Sequence, residues 1–154
     1  MSKSVIFVCW GNICRSPMAA DVAAQEAAEQ GLDLDISSAG VSREEIGNGI
    51  DPRAARTLRE HGYEVRPHTA HQITAEEIAD ADLVIGMEQL HLDRMRQICG
   101  GELDTDKVKL LTDFDPEAIP GSGVDDPWYG GQDGFTDTLS AIESAMPGVL
   151  DRLR

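Results

Sequence analysis

The sequence predicts an α/β protein, a single domain over residues 1–154. Its four-stranded parallel sheet is doubly wound, a sandwich with helices on both faces. Three observations carry this. Short apolar runs alternate with helical patterns along the whole chain. The junctions between them carry Ser, Thr, Asp, Gly or Pro where helix caps and turns need them. No internal repeat or low-complexity stretch divides the chain into parts.

Val5-Ile6-Phe7-Val8 is a buried strand that ends on Cys9. Ser16 suits a helix N-cap and Pro17 the first turn, so the alanine-rich run Met18 to Glu29 is the first helix, stopped by Gly31. Leu32 to Ser37 alternates apolar and polar residues and predicts a strand near a sheet edge, followed by a turn over Ser37-Ser38-Ala39-Gly40. Residues 41–50 form a loop. Asp51-Pro52 opens a second helix that His61-Gly62 closes. After a connector, Tyr63 to Gln72, the capping box Thr74-Ala75-Glu76-Glu77 starts a short helix.

Asp82 to Met87 is another buried strand. Glu88 to Ile98 is a helix with Leu92, Met95 and Ile98 on one side, ending near Gly100-Gly101. Lys107 to Leu111 is the fourth strand. Residues 112–132 are a long stretch rich in Pro, Gly and Asp, a length that in compact domains marks function or disorder. Phe135, Leu139, Ile142, Met146, Val149 and Leu153 recur at helical spacing, with Pro147 expected to kink that helix or start a new turn.

Composition narrows the partners. Thirteen Lys plus Arg against twenty-eight Asp plus Glu give a net charge of −15. Such a surface argues against nucleic acid and against anionic membranes, and it repels phosphorylated substrates at long range. Its plain reading is solubility. The N-terminal stretch has no signal-peptide pattern, and no apolar run approaches the ~20 residues of a membrane span. Cys9, Cys14 and Cys99 have no disulfide-framework spacing, so a cytoplasmic, reducing home is expected. The cysteines and four histidines form no zinc-type cluster; no metal and no cofactor are implied.

The segment between the first strand and first helix has the makings of an anion cradle. Its backbone N–H groups can turn inward as a nest, and the helix start adds positive potential. Arg15 brings a planar fork of donors suited to two phosphate oxygens. Gly11 permits close backbone approach and Asn12 tolerates a left-handed turn. A cysteine in this field is favoured as thiolate, the nucleophilic form, and Cys9 sits at the floor. In a parallel sheet the loops beyond the strand ends share one rim, which brings 112–132 towards Cys9. There Asp125 and Asp126 are candidate acids; Asp126, held extended before Pro127, is the better one. Trp128 and Tyr129 could wall an aryl site or simply pack.

The run Val8-Cys9-Trp10-Gly11-Asn12-Ile13-Cys14-Arg15-Ser16-Pro17 closely resembles the phosphate-binding loop of the low-molecular-weight protein-tyrosine phosphatases. Asp125-Asp126-Pro127-Trp128-Tyr129 resembles the acid loop of the same family. The resemblance implies Cys9 as nucleophile, Arg15 as phosphate clamp, and Asp126 as general acid and base. Trp10, Gly11, Asn12, Ile13, Cys14 and Ser16 then line the phosphate, with the Ser16 hydroxyl on the Cys9 sulfur. Ser38 would support Asn12, and His68 would join the same network. Asp51-Pro52-Arg53-Ala54 and Met87-Glu88 also match.

Three positions depart from the family pattern. Trp10 replaces a smaller residue, Glu44 stands where an aromatic pocket wall is usual, and His71 replaces an arginine. The expected wall is therefore Trp10, Glu44, Trp128 and Tyr129. Cys14 could form a reversible disulfide with Cys9 under peroxide.

The implied activity is hydrolysis of protein phosphotyrosine and small aryl phosphates through a phosphocysteine, releasing inorganic phosphate. Phosphotyrosine-containing proteins and a tyrosine kinase are the expected partners, and the protein is expected to be a monomer. The rivals are an arsenate reductase, for whose cysteine relay only Cys99 remains, and a module that reads phosphate without hydrolysis.

Overall fold

The computed structural model describes residues 2–154, with the side chain of Tyr129 outside that description. In chain order the elements are β1 (Lys3–Cys9), α1 (Arg15–Glu29), β2 (Leu34–Gly40), α2 (Pro52–Glu60), α3 (Ala75–Asp80), β3 (Leu83–Gly86), α4 (Gln89–Ile98), β4 (Val108–Leu110) and α5 (Gln132–Leu153). Two short 3₁₀ turns, Leu111–Phe114 and Pro127–Tyr129, divide the long segment before α5.

The sheet is all parallel in the order β2-β1-β3-β4. β1 alternates its side chains between two cores, as a pleated strand must. Val5, Phe7 and Cys9 face a layer with Met18 of α1, Leu58 of α2 and Leu139 of α5. Ile6 and Val8 face the opposite layer, with Ile78 of α3 and Met95 of α4. Helices thus cover both faces, and the chain leaves β1 to opposite sides, towards β2 and β3. The crevice at that switch point lies beyond the carboxyl end of β1, where open α/β sheets place their ligands. No helix among the described residues is long and apolar enough to cross a membrane.

The elements differ from expectation in four places. β2 begins at Leu34 because Gly31 (φ +68°) and Leu32 are spent closing α1: Leu32 N donates to Ala27 O at 2.8 Å and Gly31 N to Ala28 O at 3.2 Å. At its other end β2 runs on through Ser38-Ala39-Gly40 rather than turning, because Ala39 and Gly40 pair with Val8 and Cys9. α1 is capped by Cys14, not Ser16; Ser16 lies inside the first turn with its hydroxyl turned to Cys9. α5 starts at Gln132 and continues as one helix past Pro147. The helices at Asp51-Pro52 and Thr74 start as expected: the Asp51 side chain accepts from Arg53 N, and Thr74 with Glu77 completes a capping box.

Candidate active site

β1 delivers Cys9 to the crevice, 3% exposed, and α1 resumes at Arg15. Between them the chain turns through residues 10–14. Asn12 supplies the one non-glycine positive φ among the described residues, +62°. Its side chain is anchored from three directions. Nδ2 donates to Ser16 Oγ (2.9 Å) and Ser38 Oγ (3.0 Å), while Oδ1 accepts from His71 N (3.1 Å). His68 Nε2 donates to the Asn12 carbonyl at 2.6 Å. A residue in the left-handed region with every polar atom of its side chain engaged fixes the loop's shape before any ligand arrives.

Ser16 links this network to the sulfur. Its Oγ already accepts from Asn12, so its own proton is free for Cys9 Sγ at 3.0 Å or, less closely, Ala39 O at 3.4 Å. Among the described residues, nothing accepts a hydrogen bond from the backbone N–H groups of residues 10–14. Five successive donors in the loop between Cys9 and Arg15 are thus without a protein partner among the described residues, which suits an anion.

Arg15 is 2% exposed and ties the two loops together. Nη1 donates to the Glu88 carboxylate and to Val124 O (2.7 Å). Nη2 lies 3.5 Å from Asp126 Oδ2 and 3.4 Å from His91 Nε2. Asp126 also caps the short turn after it, accepting from Trp128 N at 3.0 Å. His91 accepts from Met87 N and Glu88 N at Nδ1, so its proton resides on Nε2. Burial first, and the Arg15 charge second, push it down to about 3, and it is neutral at physiological pH. Burial, helped by Asp51, Cys9 and Asp126, pushes the Cys14 thiol far up, so it stays protonated.

A cavity of about 150 Å³ opens over this floor, lined among others by Cys9, Ile13, Arg15 and Asp126. Trp10, Glu44 and Trp128 stand on its walls; Tyr129's side chain lies outside the described residues. Trp10 Nε1 donates to Glu44 Oε2 at 2.9 Å, and the Arg94 guanidinium stacks on the indole 5.5 Å from its centroid. Arg53 lies between Trp128 (5.0 Å) and Phe135 (4.7 Å) while gripping Asp51 with two side-chain donors. Cys99 caps the far end of α4, away from the crevice.

Several supports carried no local signal in the sequence. Glu88 reads as a helix start, and only the fold shows its carboxylate on Arg15. His91 reads as an ordinary helix residue, and Arg53 only as part of the matching Asp51-Pro52-Arg53-Ala54 segment. Gly40 reads as a turn glycine, yet a Cβ there would sit 2.8 Å from Trp10 O and 3.1 Å from Gly11 C. It is the floor on which the loop rests.

Known proteins share this sequence pattern and fold. The family model described as low molecular weight phosphotyrosine protein phosphatase matches residues 4–154. A low molecular weight protein-tyrosine-phosphatase of Streptomyces coelicolor is 40% identical, over 100% of this chain and 95% of that protein. The crystal structure of YfkJ from Bacillus subtilis superposes with a TM-score of 0.90 at 30% identity, covering 99% of this chain and 94% of that one. The structure of the YwlE arginine phosphatase of the same organism, with a phosphorylated active-site serine, gives a TM-score of 0.84 at 30% identity over 97% and 95%. With the family model spanning nearly its whole length, the chain belongs to the low molecular weight phosphotyrosine protein phosphatases.

Proposed function

We propose that the protein is a cysteine-dependent phosphomonoesterase acting on protein phosphotyrosine and small aryl phosphates. The observation that carries this is the Cys9–Ser16 contact at the floor of a cavity that Arg15 and Asp126 also line. In the proposed reaction the Cys9 thiolate attacks phosphorus as the bond to the tyrosyl oxygen breaks. The N–H groups of residues 10–14 and Arg15 hold the equatorial oxygens. Asp126 gives its proton to the departing oxygen, then takes one from the water that hydrolyses the phosphocysteine and frees inorganic phosphate. For phosphate to enter, Arg15 Nη2 must exchange its contact with Asp126 for the substrate.

Phosphotyrosine-containing proteins, and the tyrosine kinase that modifies them, are the partners this reading implies, for a monomer working in the cytoplasm. Under peroxide, Cys9 is taken to the sulfenic acid; the Cys14 sulfur then displaces water and closes a disulfide. An arsenate reductase is disfavoured by the distance in the fold between Cys99 at the end of α4 and the crevice.

The test is hydrolysis of p-nitrophenyl phosphate and of a phosphotyrosine peptide beside a phosphoarginine peptide, with vanadate and with chelator. Vanadate-sensitive, chelator-insensitive turnover of the two aryl esters, lost in Cys9→Ser, is expected. Preference for phosphoarginine would move the substrate class, and no turnover of any of the three would remove the enzyme reading.

A further inference from the structure

A second cavity, of about 520 Å³, adjoins the phosphate pocket across Arg15. Trp10 and Leu90 give it apolar wall, and Glu88, Asp125 and Asp126 give it carboxylates. The positive charge in its lining, Arg15, is 2% exposed and bonded to Glu88 and Val124 O. Asp125 is exposed and makes no salt bridge among the described residues. Leu90, on its wall, is a large apolar side chain left 50% exposed. An apolar wall beside one carboxylate, Asp125, that has no cationic partner among the described residues fits a long aliphatic side chain that ends in a cation. The charge of the whole molecule points the same way. At −15 it repels a phosphate dianion, and a cation carried beside the phosphate offsets that repulsion where it matters.

We infer that this second cavity is a subsite for a lysine or arginine side chain flanking the phosphotyrosine, with Asp125 as its specificity-determining carboxylate. The inference rests on the phosphatase reading above. Arg94 already stacks on the Trp10 ring, so the substrate's cation is received by the Asp125 side of the cavity rather than by stacking on that indole.

Phosphotyrosine peptides identical except for Arg, Gln or Glu beside the phosphotyrosine separate this subsite from the general field. The readout is the ratio of kcat/KM values within each protein, so a change in overall activity cancels. In the wild type the Arg peptide is expected to exceed the Gln peptide about fivefold, the Glu peptide being poorest. Asp125→Asn should bring the Arg:Gln ratio close to one. Glu102→Gln removes the same charge beyond the far end of α4, and should leave the ratio unchanged. Equal ratios in Asp125→Asn and Glu102→Gln, or no preference in the wild type, would overturn the subsite while leaving the phosphatase reading intact. Failure to turn over p-nitrophenyl phosphate as well as the peptides would overturn both.

Discussion

The sulfur of Cys9 and the hydroxyl of Ser16 lie 3.0 Å apart, buried, with Ser16 held in turn by Asn12 Nδ2 at 2.9 Å. With Asn12 Nδ2 donating to this hydroxyl, its proton is available to the sulfur, the nearest acceptor. That contact holds the sulfur in place at the floor of the loop. Ser16→Ala should therefore lower kcat about tenfold to a hundredfold for p-nitrophenyl phosphate, the range for one lost hydrogen bond to a charged group. Ser38→Ala, one step further out, should cost less. Equal kcat in Ser16→Ala and the wild type would show that the contact has no catalytic part.

The loop stands on Gly40. Because an added Cβ would meet backbone atoms rather than a yielding side chain, Gly40→Ala must displace residues 10–12. The expected cost is about 1–3 kcal/mol of stability together with at least a tenfold loss of kcat/KM. Gly31→Ala is the companion variant. It strains a positive φ with nothing within 4 Å, so it should cost stability while leaving kcat/KM alone. Thermal melts and steady-state kinetics on both variants decide it.

Trp10 and Glu44 form one wall joined by a 2.9 Å hydrogen bond. Glu44→Ala should raise KM for aryl phosphates about threefold with little change in kcat, because it frees the indole without touching the reacting atoms. Glu44→Gln keeps an acceptor for Nε1 and should restore KM. A fall in kcat at constant KM would assign Glu44 to the chemistry instead.

His91 makes stability depend on pH. Its folded value lies near 3 against an ordinary 6.5. As pH falls through 6.5 the unfolded chain takes up the proton first, so stability is full above that value and declines towards pH 3. The slope from this group is about 1.4 kcal/mol per pH unit at most. Denaturant melts between pH 7 and 4.5 should show that slope in the wild type and its loss in His91→Gln. An unchanged slope in the variant would assign the acid sensitivity to carboxylates.

The sequence made some features legible and hid others, on physical grounds. Cys9, Asn12, Arg15 and the Asp126-Pro127 pair are close in sequence to the turns that position them, so spacing and turn chemistry expose them. The same locality marks the caps at Asp51 and Thr74 and the closing Gly31. Ser16 misled as a cap because a serine before a proline satisfies the capping rule equally well whether its hydroxyl turns to the helix or to a sulfur. Ser38-Ala39-Gly40 looked like a turn because small residues serve both turns and closely packed strand ends; their pairing with β1 is a long-range fact. Glu88, His91 and Arg53 act on residues tens of positions away, and no periodicity records such a contact.

Acid quenching of the wild-type protein during the first turnovers of p-nitrophenyl phosphate, followed by mass-spectrometric mapping of the phosphoryl group, tests the central claim most directly. A phosphoryl group on the sulfur of Cys9 in the wild type is predicted. Rapid turnover of the same ester by Cys9→Ser, or a phosphoryl group carried by another residue, would contradict it.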